Sequence, residues 1–206
     1  MCMQVTTSTR DRILTAASEL FRRQGYAATG LKAILAASDA PYGSLYHFFP
    51  GGKEELGVAV LESGGLVYRE LVELFFVPGG DVVRETRAFF EGAATMIEET
   101  DYADACPIAT MALETASTSE PMRRASADAF ESWLEVLADR MRGGGIPRAR
   151  ARELAVELFC AIEGAFLLSR ATRSPEPIRI AGRAAAESVR HARDKALARG
   201  SSRRTS

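Results

Sequence analysis

The 206-residue sequence is poor in cysteine, histidine and lysine, and it contains no apolar run long enough to cross a membrane. Its three cysteines, Cys2, Cys106 and Cys160, are widely spaced, which fits neither a disulfide scaffold nor a zinc site. The two histidines, His47 and His191, have no metal-ligand spacing, so we predict no metal site. The first residues lack the apolar stretch of a secretory signal. We therefore expect a cytoplasmic protein that does not enter a membrane.

Residue patterns for catalysis are also missing. No nucleophile is paired with a base, and no carboxylate pair marks a pocket. The run Gly143-Gly144-Gly145 follows a helical stretch rather than a strand and precedes no lysine, so it is a helix terminator and not a phosphate loop. Glu98, Glu99, Asp101 and Asp104 are typical of a solvated acidic turn. We predict no enzyme activity, no catalytic residue and no cofactor.

The charge balance does not by itself indicate a nucleic-acid partner. Residues 1–60 hold six basic and five acidic side chains, residues 61–182 hold 13 and 20, and residues 183–206 hold seven and two. A nearly neutral N-terminal segment followed by an acidic body lacks the bulk positive charge of many polyanion binders. A case for DNA binding must therefore depend on local geometry.

Apolar residues recur at intervals of three and four along almost the whole chain, and no alternating run is bounded by hairpin signals. This spacing predicts an all-α fold of about nine helices. Three short helices fall within residues 1–52 and longer ones within residues 53–200, so we expect two domains with this boundary. Residues 201–206 are small and polar or basic, and we expect them to form a disordered tail.

The three short helices carry start and stop signals. One of residues 7–9 can cap the first helix, and Gly25 is its expected end. Thr29 is the expected cap of the second helix, and Pro41 suits the first turn of the third, which runs to about Phe48. The first helix buries one apolar stripe: Ile13, Ala16, Ala17, Leu20 and Phe21.

Two short helices joined by a tight turn and supported by a longer helix form the helix-turn-helix arrangement, in which the second helix of the pair enters the major groove. On that helix, Leu45 and either Phe48 or Phe49 can face the core. The outward residues then offer hydroxyl, imidazole and ring groups to DNA: Tyr42, Gly43, Ser44, Tyr46 and His47.

The segment Arg12–Leu56 resembles the DNA-binding domain of TetR-family transcriptional regulators. The likeness lies in the first-helix alanine and phenylalanine, Gly25-Tyr26, Thr29, Gly43, Leu45-Tyr46 and the stretch from Phe49-Pro50 to Leu56. Cys106-Pro107 and Glu114 further resemble the LmrA/YxaF-like subgroup. The resemblance implies an all-α homodimer with an N-terminal DNA-reading domain and a larger C-terminal effector-binding domain. Such proteins usually act as repressors that a small molecule releases from double-stranded operator DNA.

The resemblance also implies roles for individual residues. Thr29 and Lys32 would touch the DNA backbone or groove edge. The major groove would receive Pro41, Tyr42, Gly43 and Ser44, and phosphates would be held by Tyr46, His47 and Lys53. The residues alone leave other roles open: Tyr46 can complete the core, His47 can be plain surface, and Lys53 can cap the fourth helix.

The sequence departs from the family pattern at three positions before and at the start of the predicted third helix. Asp39 stands where a turn glycine is common, Pro41 replaces a small polar residue, and Tyr42 replaces a frequently basic one. Loss of that cation removes about one counterion of salt dependence. The resemblance therefore implies the docking mode of the family but does not carry over its base specificity.

Methionine and aromatic residues recur in the C-terminal part. Each of them is by default a core residue, but as a set they are typical of an apolar effector pocket between helices. The predicted pocket set is Phe89, Phe90, Met96, Tyr102, Met111, Phe130, Trp133, Phe159 and Phe166. Cys106 is either inert packing or a redox switch. Gly64-Gly65 is either a close packing point or a hinge.

The last two helices are candidates for self-association, or alternatively for an internal hairpin. The predicted dimer set is Leu154, Leu158, Ile162, Ala181, Ala185, Ser188 and Ala192. Two hypotheses follow: a homodimeric repressor that an apolar or aromatic molecule releases from a palindromic operator, or a helical interaction module whose C-terminal domain binds another protein.

Overall fold

The computed structural model describes residues 8–103 and 106–202 of the chain. Within these ranges the regular structure consists of nine helices without a strand, which confirms the predicted all-α class. The helices are α1 (Thr9–Gln24), α2 (Leu31–Ala37), α3 (Tyr42–Phe48), α4 (Gly52–Phe75), α5 (Val82–Glu99), α6 (Pro107–Thr115), α7 (Glu120–Gly143), α8 (Arg148–Thr172) and α9 (Glu176–Ser202). None of these described helices combines the length and apolar character that a bilayer span requires.

Helix α1 begins and ends where its sequence signals predict. The Ser8 hydroxyl accepts the backbone N–H of Asp11, and Gly25 follows the last turn with φ of 84°. The apolar stripe is buried at Ile13, Ala16, Ala17 and Phe21, whereas Leu20 is half-buried.

The predicted cap of α2 is wrong. Gly30 is the N-cap and makes no side-chain hydrogen bond, while the Thr29 hydroxyl donates to the carbonyl oxygen of Gly25 at 2.7 Å. Thr29 is 1% exposed, so its side chain fastens the end of α1 instead of starting α2.

Helix α3 turns its apolar side inward. Leu45 is fully buried, and of the two alternative phenylalanines Phe49 is buried at 1% exposure while Phe48 is half-buried. Pro41 is the N-cap, one residue before the predicted first turn.

Helices α5 and α6 begin at side-chain caps. Asp81 precedes a helical apolar pattern that predicts it as an N-cap, and its carboxylate accepts the backbone N–H groups of Val83 and Arg84. These bonds, chiefly the one from Val83, lower the pKa of Asp81. The buried Cys106 caps α6, where its Sγ accepts the N–H of Ala109 at 3.4 Å, in keeping with a packing role.

The spacing of small residues predicts that α9 turns Ala181, Ala184, Ala185, Ser188 and Ala192 inward, but the buried face lies about one residue away except at Ala192. The buried positions are Ile178, Gly182, Ala186, Val189 and Ala192, whereas Ala184 is exposed. A Cβ added at Gly182 would lie 2.5 Å from the Phe90 Cβ, so this face packs tightly on α5. Helix α9 reaches Ser202 and so includes residues 201 and 202 of the predicted tail, whereas residues 203–206 lie outside the described residues.

The chain forms two compact units. The first comprises the described residues of Met1–Leu66 and Cys106–Ala129, and the second those of Val67–Ala105 and Phe130–Ser206. The first unit therefore contains α6 and the start of α7 in addition to the three short helices. The limits of the two domains expected from the sequence, at residues 52 and 200, remain a prediction.

The two glycines in the middle of α4 are packing points. A Cβ added at Gly65 would lie 2.9 Å from the Ala129 Cβ, and one at Gly64 would lie 3.2 Å from the Ile108 Cδ1. Because both approaches are closer than ordinary side-chain contacts, the structure favours close packing over the hinge alternative.

Candidate nucleic-acid interface

The α2–α3 turn is held by α1. Arg12 Nε donates to the carbonyl oxygen of Ser38 at 3.0 Å, and Arg12 Nη2 donates to that of Asp39 at 3.1 Å. Asp39 has φ of 48°, the left-handed conformation expected where a turn glycine is common. These contacts join the two short helices to the first and set the direction in which α3 leaves the turn.

Helix α3 presents polar and aromatic groups to solvent. Tyr42 is 66% exposed and Tyr46 is 50% exposed. Gly43 and His47 are also exposed, and Ser44 is half-buried. Because Leu45 and Phe49 occupy the opposite side, the exposed half of Tyr46 leaves its ring available to a ligand, which disfavours the core alternative.

Two predicted residues share a surface concavity. Lys32 on α2 and Tyr42 on α3 both line a shallow groove of about 340 Å³. Lys32 is exposed, and Pro41, the exposed N-cap of α3, directly precedes Tyr42. Thr29 does not join them, because it is buried and its hydroxyl is already bonded.

Lys53 lies beside the connection between α1 and α2. Its Nζ donates to the carbonyl oxygen of Ala27 at 3.4 Å and sits 4.4 Å from the centre of the Tyr26 ring. Partial burial lowers the pKa of Lys53, and the Glu114 carboxylate opposes this shift. Burial, assisted by Glu54, raises the pKa of Tyr26. Lys53 is thus a half-buried cation with structural partners of its own.

Two residues of this unit, Arg10 and Arg12, were not predicted from the sequence. Arg12 clamps the turn, and the Arg10 guanidinium lies 5.3 Å from the centre of the Phe49 ring. A basic residue on α1 looks like ordinary helix surface in the sequence. A turn without glycine leaves backbone carbonyl groups that need a hydrogen-bond donor from elsewhere in the chain. This need is the signal that could have identified Arg12.

Comparison with known proteins identifies the class of regulator. Residues 13–60 match bacterial regulatory proteins of the tetR family, and residues 82–184 match the C-terminal domain of LmrA/YxaF-like transcriptional regulators. The chain belongs to the TetR family. As a member of the TetR family it is a DNA-binding transcriptional regulator and not an enzyme.

Individual TetR-family relatives are similar in sequence to this chain along most of its length. The uncharacterized HTH-type transcriptional regulator YxaF of Bacillus subtilis is 36% identical across 82% of this chain and 88% of its own. The HTH-type transcriptional regulator LmrA of the same organism is 34% identical across 82% and 90%. The crystal structure of regulatory protein TetR from Rhodobacter sphaeroides has the same fold, with a TM-score of 0.78, 23% identity and coverage of 88% and 99%.

The predicted effector-pocket residues fall into separate groups. Phe130, Trp133 and Phe159 form one aromatic cluster, with ring centres 5.3 and 5.6 Å from Trp133. Phe89 and Phe90 contact each other at 5.9 Å, and Phe89 also contacts the α4 rings of Phe75 and Phe76. Of the remaining positions, Tyr102 lies against the Arg173 guanidinium, Met96 is half-buried and Phe166 is buried. Met111 belongs to the first unit.

Most of the predicted self-association residues are buried within the second unit. Leu154, Leu158 and Ile162 are each 2% exposed, and Ala192 is 8% exposed. Helices α8 and α9 do form the internal hairpin that was the alternative. A groove of about 190 Å³ nevertheless runs between them, and its lining includes Leu154, Leu158, Ala181, Ala185 and Ser188.

Exposed apolar residues lie elsewhere on the same two helices. Leu168 on α8 and Ile180 on α9 are 56% and 49% exposed. Gly164, one turn before Leu168, is exposed with nothing within 4 Å of an added Cβ. These three positions were not predicted, because the outward face of each helix was assigned to residues most of which pack inward.

Proposed function

We propose that the protein is a ligand-responsive repressor that acts as a homodimer on a palindromic operator in the cytoplasm. The observation that carries the proposal is the outward face of α3, on which Tyr42, Gly43, Tyr46 and His47 are exposed while Leu45 is buried. Repression and release by a small molecule are usual in the family.

The DNA contacts in this proposal divide by chemistry. Tyr42, Gly43 and Ser44 at the start of α3 reach base edges, where hydroxyl groups read donor and acceptor patterns. Lys32, Tyr46 and His47 bind phosphates, which supply affinity and register. Lys53 joins them at the groove margin, and Thr29 acts only by supporting the connection before α2.

A dimer is needed because one short helix supplies too few contacts for a specific site. Twofold repetition places two recognition helices one duplex turn apart, about 34–36 Å. The proposed dimer face is the outer side of α8 and α9, which carries both the shallow groove, lined in part by exposed Ala184, and the exposed side chains of Leu168 and Ile180. Small residues there favour close approach of a twin helix pair.

The proposed effector is a small apolar or aromatic molecule. Support comes from the cluster of Phe130, Trp133 and Phe159, because ligand sites in helical proteins are lined by aromatic residues with few polar groups. The Ser169 hydroxyl, one turn after Phe166, is buried and has no hydrogen-bond partner among the described residues. Such a group can orient a ligand that carries one polar atom.

The test is selection of duplexes from a random-sequence library with the purified full-length protein, followed by electrophoresis of the selected duplex. We expect an inverted repeat with half-sites about one helical turn apart, bound by two protomers. The double variant Tyr46→Ala with Lys53→Ala should bind that duplex at least tenfold more weakly. Full affinity of this variant would contradict the assigned contacts.

One observation favours the second candidate, a module that binds another protein. The C-terminal half of α4 exposes Val67, Leu71 and Leu74 at helical spacing, and an exposed apolar row suits a partner helix. A thermal-shift screen with hydrophobic compounds separates the candidates, because a ligand that binds only the folded state raises the unfolding midpoint. No shift with any compound, together with no selected duplex, would favour the module.

A further inference from the structure

One carboxylate from α6, that of Glu114, binds the connection between α1 and α2. Glu114 Oε1 accepts the backbone N–H of Tyr26 at 3.1 Å, and Glu114 Oε2 accepts that of Ala27 at 2.7 Å. Each oxygen thus takes one of two successive peptide N–H groups. A carboxylate held in this two-point manner fixes both the place and the orientation of the peptide that it binds.

The connection is shaped to admit this carboxylate. Gly25 has φ of 84°, and a Cβ at that position would lie 2.5 Å from Glu114 Oε1. Any side chain at Gly25 would therefore displace the carboxylate and strain the backbone as well. The absence of a side chain at Gly25 serves the end of α1 and the Glu114 contact together.

Lys53 holds the same connection from α4. Its Nζ donates to the carbonyl oxygen of Ala27, whose N–H is bound by Glu114, and it lies over the Tyr26 ring. The two charged side chains therefore grip the same two residues, Tyr26 and Ala27. All these contacts lie within the first compact unit.

The gripped connection leads directly into the helix pair that faces DNA. Thr29, its penultimate residue, is buried with its hydroxyl on Gly25, and α2 begins two residues later at Leu31. Tyr26 and Ala27 are thus held only a few residues before α2, and α3 follows after the turn at Asp39. A shift of this connection would carry α2 and α3 with it.

We propose that Glu114 is a positioning residue for operator binding, which presets the recognition helix by anchoring the α1–α2 connection. The inference rests on the proposed function and goes beyond it, because Glu114 belongs to residues 82–184, the segment that matches the C-terminal domain of the family. A displacement of α6 would release the two amides and alter the placement of α3. Glu114 therefore links the state of the C-terminal segment to DNA affinity.

The substitution Glu114→Gln separates this role from simple electrostatics. The carboxamide has nearly the same size, but its NH₂ group would face a backbone N–H, so one of the two hydrogen bonds is lost. Removal of a negative charge near DNA by itself strengthens binding to the polyanion. A loss of operator affinity in Glu114→Gln therefore has the opposite sign to the charge effect.

Glu54→Gln is the matched control. Glu54 is exposed and belongs to the same unit, but its carboxylate accepts the Ser119 hydroxyl at 2.6 Å instead of the backbone amides of the connection. Both variants lose one carboxylate charge. Only Glu114→Gln loses the grip on Tyr26 and Ala27.

The experiment measures the affinity of full-length variants for the duplex selected with the wild-type protein, well below every unfolding midpoint. We expect Glu114→Gln to bind at least tenfold more weakly, about 1.4 kcal/mol, and to exchange the Tyr26 and Ala27 amide hydrogens faster. Glu54→Gln is expected to bind as tightly as the wild type or more tightly. Glu114→Asp, whose carboxylate is withdrawn by one methylene, should lose affinity by a similar factor.

The outcomes are distinguishable. Wild-type affinity in both Glu114 variants, with the wild type binding its duplex, would overturn the positioning role and leave the proposed function intact. Failure of the wild type to select any duplex would overturn the proposed function and the Glu114 role with it. If Glu114→Gln does not fold, the Glu114→Asp result decides by the same criterion.

Discussion

The Arg12 guanidinium on α1 donates to the carbonyl oxygen of Asp39, the residue that turns the chain between α2 and α3. Asp39 is in the left-handed conformation, which most side chains disfavour, so the turn benefits from a fixed donor on its outward carbonyl group. The recognition helix starts three residues after Asp39. Its direction therefore depends on a side chain that itself faces no DNA in the proposed function.

Loss of this clamp is expected to affect both stability and DNA binding. Arg12→Ala removes charge-assisted hydrogen bonds to Ser38 and Asp39, so the free energy of unfolding should fall by about 1–3 kcal/mol. Operator affinity should fall with it. The control is Arg23→Ala on the same helix, which removes only an exposed ion pair with Glu19 and should cost less than about 1 kcal/mol. Chemical denaturation at equal protein concentration measures both, and equal effects would refute the clamp.

A phosphate contact at Lys32 predicts a change in salt dependence. Lys32 is exposed on the α2–α3 face, so Lys32→Ala should weaken operator and random duplexes alike. The slope of log affinity against log salt should decrease in magnitude by about one. Lys195→Ala, which removes an exposed lysine from α9, should leave the slope unchanged. Titrations at several salt concentrations test this, and an unaltered slope for Lys32→Ala would remove Lys32 from the interface.

The proposed dimer face predicts a specific failure of self-association. Leu168→Glu places a charge at an exposed apolar position of α8, where burial against a partner without a counter-charge costs several kcal/mol. We expect monomers in sedimentation analysis at micromolar concentration. Leu113→Glu is the matched control, because Leu113 on α6 is 88% exposed. A dimer that persists in Leu168→Glu would exclude this face.

Close packing at Gly65 predicts that even one methyl group is costly. The added Cβ in Gly65→Ala would lie 2.9 Å from that of Ala129, so the overpacking should lower the free energy of unfolding by about 1–3 kcal/mol. Gly164→Ala on α8 meets nothing within 4 Å and should instead raise it by about 1 kcal/mol through helix propensity. Thermal unfolding compares the two. A stabilised Gly65→Ala would support the hinge alternative.

Local signals predicted the helices well and the helix faces less well. Ser8 and Asp81 cap α1 and α5 at the predicted starts, because a cap is a contact between near neighbours in sequence. The buried face of α9 was predicted about one residue out. The helix is rich in alanine on several sides, and the face that is buried is set by packing on α5, where Phe90 lies against Gly182.

By itself the sequence determined the all-α class, the order of the helices and the family, since periodicity, caps and the segment Arg12–Leu56 are local properties of the chain. Only the tertiary structure decided that Thr29 is buried, that Arg12 clamps the α2–α3 turn and that Glu114 reaches back to Tyr26. Glu114 and Tyr26 are 88 residues apart. No local pattern encodes such a pair, because its hydrogen bonds exist only after packing has brought α6 against α1.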